Sequence, residues 1–191
     1  MYVKFFKRFL DILISSIIII FLFPLMIIIS ILIWYKIGFP IFIQKRPGLN
    51  NKIFNVYKFK TLLDNSEFEY DIKRQNPLGD FLRKTGLDEL PQLINILQNK
   101  MSLIGPRPLL IEYLDKYSDY EKKRHLVKPG ITGLAQVSPA RYGKKYWNKS
   151  IKLDVFYVYN VSFLLDVKII WRTIKLLIFK KKTYDDFIKP F

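Results

Sequence analysis

The chain has 191 residues and carries 32 lysines and arginines against 16 acids, a net charge of +16. Half of its residues are hydrophobic and 16% are aromatic, which excludes a disordered basic tail, while the charge surplus favours anionic partners such as acidic lipid, phosphate or nucleic acid. There is no cysteine, so disulfides, thiol nucleophiles and thiolate metal sites are excluded.

From Ile12 to Ile33 the sequence is apolar apart from Ser15, Ser16, Pro24 and Ser30. As a helix this segment would run about 33 Å, enough to cross a hydrocarbon core. It exceeds the apolar core of a signal peptide, and no small-residue cleavage site follows it. On length alone it is a single membrane span. Both flanks are basic, however, with Lys4, Lys7 and Arg8 before it and Lys36, Lys45 and Arg46 after it. Charge asymmetry then selects no side, and both ends favour the cytoplasm. Pro24 removes a backbone hydrogen bond near the middle and can bend the helix. A re-entrant helix that returns to the face it left meets both constraints. Asp11, an acid that resists deep burial in a membrane, either pairs with Lys7 or Arg8 or is solvated at the interface.

Pro40 to Thr61 alternates around Phe42, Ile43, Ile53, Phe54, Val56, Tyr57 and Phe59, with the turn Pro47-Gly48-Leu49-Asn50-Asn51 between its halves, and predicts a short β-hairpin. Residues 64–77 are polar and read as a loop. A helix is predicted from Thr85–Leu90 to about Gln98, with Pro91 in its first turn. Leu90, Leu93, Ile94 and Leu97 form its buried stripe, and Asp88, Gln92, Asn95 and Asn99 a polar one. A further helix is predicted over roughly 109–126, then an irregular loop through Pro129-Gly130-Ile131-Thr132-Gly133. Ser162 to Lys182 places Phe163, Leu164, Val167, Ile170, Trp171, Ile174, Leu177 and Ile178 at helical spacing among basic residues. It is either an interfacial amphipathic helix or a core-packing one. The predicted class is α+β, mainly helical: a re-entrant, proline-kinked anchor over residues 1–36 and a small globular domain over 37–191, with a short hairpin and interfacial amphipathic helices.

The chemistry concentrates at Asp88-Glu89, an adjacent carboxylate pair near Arg83 and Lys84. Solvated acids in a first helical turn explain such a pair without function. With Arg107 available, the same acids can share a site with a metal and a phosphate. A carboxylate can attack phosphorus to give an acyl phosphate, and Mg²⁺ is the usual ion for neutralising the incoming phosphates. Arg107 lies between Pro106 and Pro108, and the following proline biases it toward extended backbone. That would present a guanidinium fork suited to phosphate. There is no GxxxxGK[ST] loop and no GxGxxG turn. The single histidine, His125, has no partner at metal-ligand spacing and reads as an ordinary polar side chain.

Several runs together resemble the bacterial sugar transferases, the small monotopic phosphoglycosyl transferases. These runs are Gln44-Lys45-Arg46-Pro47-Gly48, Tyr57-Lys58-Phe59-Lys60-Thr61, Leu82-Arg83-Lys84-Thr85, Leu87-Asp88-Glu89-Leu90-Pro91-Gln92-Leu93, Met101-Ser102-Leu103-Ile104-Gly105-Pro106-Arg107-Pro108 and Lys128-Pro129-Gly130-Ile131-Thr132-Gly133. The likeness covers nearly the whole chain in order. It implies transfer of a sugar phosphate from a UDP-sugar to polyprenyl (undecaprenyl) phosphate, with release of UMP, at the cytoplasmic face of a bacterial inner membrane. It implies Asp88 as nucleophile and Mg²⁺ ligand, Glu89 as its assistant, and Lys58, Lys60, Arg83 and Arg107 as substrate-binding cations. The family's kink is a Ser-Pro pair, whereas this chain has Phe23 before Pro24. After the Pro-Gly-Ile-Thr turn, the run Gly133 to Arg141 departs from the family pattern. Gln136 in that run is a candidate donor-binding residue.

Two other classes compete. A basic membrane-anchored scaffold or adaptor would not need the ordered acid and arginine motifs. A nucleic-acid-binding protein would explain the charge, but the long apolar segment and the lack of a recognition module argue against nucleic acid as a partner.

Overall fold

The structure, a computed structural model, describes residues 2–63, 76–138 and 146–178. The polar stretch 64–75, the run from Pro139 to Arg141 and the lysines after Ile178 lie outside the described residues. After a π-helical turn at Tyr2–Phe6, the apolar segment forms one helix, α1 (Lys7–Lys36), 30 residues long with Pro24 inside it. At the usual rise it measures about 45 Å.

One side of α1 is seated on the globular part at both ends. Near its start, Lys7 pairs with Asp166 at 2.6 Å. Arg8 donates to the carbonyls of Ile96 (2.6 Å) and Leu97 (3.1 Å). Asp11 is buried and accepts from the Ser102 hydroxyl (3.1 Å) and the Leu103 amide (3.0 Å). Asp11 is thus not solvated, and among the described residues it makes no direct ion pair with Lys7 or Arg8, although both charges favour its ionised form. A neighbouring strand supplies the hydrogen bonds that make a buried carboxylate tolerable, while Lys7 and Arg8 take other partners. In the middle of the helix, Ile18 and Ile19 pack on a core of Phe54, Val56, Leu93, Ile96 and Met101. Toward its end, Ile29, Ile33 and Ile37 pack with Phe59 and Leu82. The opposite face, including Phe21, Phe23, Ile31 and Trp34, is exposed.

The hairpin forms as expected. Strands β1 (Ile41–Pro47) and β2 (Ile53–Phe59) are antiparallel, with Ile41 opposite Phe59 and Pro47 opposite Ile53. Asn50 and Asn51 turn the chain with φ of 52° and 61°, a region asparagine tolerates. Next comes α2 (Pro77–Thr85), whose start falls in what reads from sequence as loop. Asn76 caps it by accepting from the Gly79 amide at 2.8 Å, and Pro77 occupies the first turn.

The single helix expected from Thr85–Leu90 to Gln98 is broken. Helix α2 stops at Gly86, which is left-handed (φ 76°) and suits glycine. Leu87–Glu89 make one 3-10 turn, and α3 (Gln92–Leu97) follows with Pro91 at its N-cap. The buried face of α3 is Gln92, Leu93, Asn95 and Ile96, whereas Ile94 and Leu97 are exposed. The stripe is rotated because Asn95 serves the edge of β2. Its Oδ1 accepts from the Tyr57 amide (3.0 Å) and its Nδ2 donates to the Asn55 carbonyl (2.8 Å). A side-chain amide thus replaces a neighbouring strand.

A second, parallel pair joins β3 (Ser102–Ile104) to β4 (Gly130–Thr132), with Ser102 opposite Gly130 and Ile104 opposite Thr132. A Cβ on Gly130 would lie 2.1 Å from the Gly105 nitrogen, so no larger residue fits unless the backbone moves. The helix expected over 109–126 is three short pieces: a 3-10 segment Ile111–Lys116, α4 (Asp119–Lys122) and a 3-10 turn Lys123–Leu126. Tyr117 is extended and buried, and Ser118 starts α4 anew with a reciprocal capping box to Glu121.

Helix α5 (Trp147–Tyr159), which the sequence reading did not identify, precedes α6 (Phe163–Ile178). Ile104, Leu134, Val137, Tyr157 and Ile169 form the core beneath them. Helix α6 combines both predicted characters. Asp166 and Ile169 are buried, while Leu164, Trp171, Leu177 and Ile178 are exposed. Asp166 accepts from Tyr2 (2.6 Å), Lys7 (2.6 Å) and Tyr157 (2.7 Å), tying α6 to the start of α1.

Candidate functional site

Glu89 is the meeting point. Its Oε1 accepts from Lys58 Nζ at 2.9 Å and from Arg107 Nη2 at 2.8 Å. Three elements converge there. Lys58 lies on β2, on the same face as Phe54 and Val56 by the strand's period of two. Glu89 ends the 3-10 turn after Gly86. Arg107 follows β3 in Gly105-Pro106-Arg107-Pro108. The Asn95 bonds that lock α3 to β2 also set the spacing between Lys58 and the acids.

A small cavity of about 50 Å³ opens beside Glu89, lined by Arg46, Val56, Lys58, Gln92, Arg107, Pro108, Leu109 and Gly130. Three of its lining side chains are cations and one is an acid. Arg46 belongs to the Gln44-Lys45-Arg46-Pro47-Gly48 motif, but nothing local in the sequence marks it as a site residue. What the sequence does not show is the antiparallel register, which brings the end of β1 to this cavity. Arg46 donates to Gln44, a neutral partner, at 2.5 Å. Burial and the nearby Arg107 charge both disfavour that cation, and the Glu112 charge offsets them only in part. An anion would relieve the conflict.

The two adjacent carboxylates differ. Burial raises the pKa of Glu89, but the charges of Arg107 and Lys58 and their hydrogen bonds outweigh it, so the group sits below its ordinary value. Burial raises Asp88, and the Glu89 charge adds to the rise; Lys58 and Arg107 offset it only in part. Among the described residues Asp88 enters no ion pair. Glu89 is thus committed to organising cations, whereas Asp88 is a half-buried carboxylate of enhanced basicity.

The other sequence candidates lie elsewhere. Arg83 pairs with Asp80 one turn away at 2.6 Å, on an exposed surface. Lys60 follows β2, its amide donating to the Pro40 carbonyl at 2.9 Å, and it is not among the cavity's lining residues. Gln136 donates to the Ile131 carbonyl at 2.8 Å, and its Oε1 is buried with no partner among the described residues. His125 is buried, and burial together with the Arg124 charge lowers it from 6.5 to about 4. It is neutral at physiological pH, in line with a non-catalytic histidine.

Comparison with known proteins agrees with this geometry. The family model described as bacterial sugar transferase matches residues 2–180. An uncharacterized sugar transferase, EpsL, of Bacillus subtilis is 46% identical over 145 residues, covering 73% of this chain and 71% of its own length. The undecaprenyl-phosphate galactose phosphotransferase of Salmonella typhimurium is 36% identical over 95% of this chain and 42% of its own length. The UDP-glucose:undecaprenyl-phosphate glucose-1-phosphate transferase of Klebsiella pneumoniae is 38% identical over 88% of this chain and 39% of its own length. The chain therefore spans only about two fifths of the length of these two relatives. The match runs through every element that builds the cavity, and the chain belongs to the bacterial sugar transferase family.

Proposed function

We propose that the protein transfers a sugar 1-phosphate from a UDP-sugar to polyprenyl phosphate through a covalent intermediate on Asp88. The observation that carries this reading is the contrast within the dyad. Glu89 is held by Lys58 and Arg107 beside a cationic cavity, while Asp88 enters no ion pair among the described residues and is more basic than an ordinary aspartate. The names of the relatives supply the substrate classes. The Asp88 carboxylate attacks the β-phosphorus of the donor, and the bond from that phosphorus to the oxygen bridging to UMP breaks. UMP leaves with the bonding pair. An oxygen of polyprenyl phosphate then attacks the same phosphorus, and the bond to Asp88 breaks, which restores the carboxylate. Lys58, Arg107 and Arg46 offset the charge that develops on the phosphoryl oxygens.

The donor set fits a hard divalent cation of the Mg²⁺ type. Among the described residues no cluster of three ligating side chains exists, but this ion commonly takes one or two carboxylates and completes its shell with water and substrate phosphate. Asp88 would hold it, and when bound it would neutralise donor phosphate charge.

The same reading includes a monotopic arrangement on the cytoplasmic face. Both ends of α1 are anchored to one globular unit, by Asp11 on β3 and by Ile33 against Phe59 and Leu82. A helix crossing the bilayer could not return its far end to that unit. Its outer face is exposed and apolar, suited to lipid. The test of the chemistry is incubation with donor alone. Expected are a mass gain of one sugar phosphate on Asp88 and a burst of about one UMP per active site. No adduct and no burst, with ordered sequential kinetics, would mean direct attack by the lipid phosphate.

A further inference from the structure

Arg107 reaches Glu89 only if its backbone is held in one direction. Of Pro106, Arg107 and Pro108, only Arg107 has an amide hydrogen, so the turn depends on its carbonyls. The Pro106 carbonyl accepts from the Gly130 amide at 3.0 Å. The Arg107 carbonyl accepts from Arg124 Nη2 at 2.6 Å. The same Nη2 donates to Asp154 Oδ2 at 2.7 Å, and Arg124 Nε donates to that oxygen at 3.1 Å. The Arg124 and Asp154 side chains are 0% and 1% exposed. Tyr117 and His125 close the cage: the Tyr117 hydroxyl and His125 Nε2 each lie 3.4 Å from Arg124 Nη1. Arginine can only donate, so Nε2 accepts, and the proton of the neutral imidazole sits on Nδ1.

A buried ion pair is a weak source of stability, because desolvation cancels much of its attraction and apolar residues of similar size often do as well. What apolar residues cannot do is cap a carbonyl and grip a carboxylate at once, which the planar guanidinium does. We propose that Arg124 and Asp154 are positioning residues: the pair docks α5 against the Gly105–Pro108 turn and aims Arg107 at Glu89 and at the donor phosphate. This rests on the reading of Arg107 as a phosphate-holding group. Neither residue lines the cavity; both act through the Arg107 backbone.

The test is a double-mutant cycle in the full chain in detergent. The paired replacement Arg124→Met with Asp154→Leu removes the guanidinium bond without stranding a charge. Donor-dependent UMP release should fall about 10- to 100-fold in the otherwise unaltered protein, and less than about 3-fold further in an Arg107→Ala background, because effects transmitted through Arg107 are not additive. A second readout is independent of turnover. With Arg107 displaced from Glu89, its guanidinium ¹⁵N–¹H resonances should shift and exchange faster with water. Equal fold-losses in both backgrounds, or unmoved Arg107 guanidinium resonances, would overturn the proposal. If Arg107→Ala itself turned over like the unaltered protein, the phosphate-holding reading would fail, and the Arg107 resonances in the paired variant would still decide the positioning. Should the paired variant not fold, Arg124→Lys, which keeps a charge beside Asp154, carries the same cycle and the same resonance readout.

Discussion

Arg107 joins two carboxylate–guanidinium clusters of opposite character. On its side-chain end is Glu89, shared between Arg107 and Lys58, with side-chain exposures of 17% for Glu89 and 36% for Arg107. On its backbone end is Arg124–Asp154, sealed from solvent. The open cluster has more cations than acids around its cavity, and among the described residues it leaves Asp88 outside any ion pair. Among the described residues, the sealed cluster pairs one cation with one acid and sets further donors against a backbone carbonyl, a phenol and an imidazole. An excess of charge beside a cavity marks a place where a ligand completes the electrostatics. A balanced, closed pair marks a place where the protein has completed them itself.

The sharpest way to break this contrast is at Asp88. Asp88→Asn keeps the shape and removes the nucleophile, so UMP release should fall by at least about 10³-fold even without acceptor. Stability should respond in the opposite sense. A carboxyl with a raised folded-state pKa favours folding fully only below its ordinary value, and that contribution is lost as pH rises through the raised value. At neutral pH Asp88 therefore opposes folding, and Asp88→Asn should melt at or above the unaltered protein, with the gap closing in acid. A lower Tm for Asp88→Asn at neutral pH would remove the distinction between the two acids.

The sealed cluster should show the reverse pattern. Asp154→Ala leaves Arg124 buried without its carboxylate, and chemical denaturation should report a loss of about 3–5 kcal/mol. A loss under about 1 kcal/mol would mean that water or another group reaches Arg124, and the two clusters would not differ in kind.

A smaller effect is expected at Arg107. Arg107→Ala should cost about 1.5–3 kcal/mol in donor turnover, measured as kcat/KM for UMP release, while vesicle sedimentation stays unchanged. Glu89→Gln sharpens the comparison through pH. Because Glu89 sits below its ordinary value, its contribution to stability is present above that value and is lost as pH falls through the lowered one. Glu89→Gln should therefore lower Tm at neutral pH, and the difference should vanish in acid. The smallest effect belongs to a pair in neither cluster. Lys122 and Asp119 are 3.1 Å apart on an exposed helix, and Lys122→Ala should change stability by no more than about 0.5 kcal/mol.

The hairpin and its turn were legible because β alternation and the Pro-Gly-Leu-Asn-Asn run are local signals. The apolar helix was legible from length and hydropathy. Helix α2 was missed because its signals, an Asn cap and a first-turn proline, sit at the edge of a polar stretch. The rotated face of α3 could not be read from periodicity, since Asn95 is buried to satisfy a strand edge far away in sequence. Asp11 failed for the same reason: its partners, Ser102 and Leu103, lie some ninety residues on. Arg46 appeared within a motif, but its place at the cavity follows from strand register.

The sequence by itself determined the family likeness, the adjacent acids, the phosphate-suited arginine between two prolines and an anchor with basic flanks. These are properties of residue type and short spacing. Only the tertiary structure decided which acid is clamped and which is left basic, because that depends on Lys58 and Arg107 arriving from β2 and from the turn after β3. It also decided that both ends of α1 rest on one globular unit, and that Arg124 and Asp154 stand behind Arg107. Burial and charge pairing are set by groups that meet across space, and no local pattern encodes those meetings.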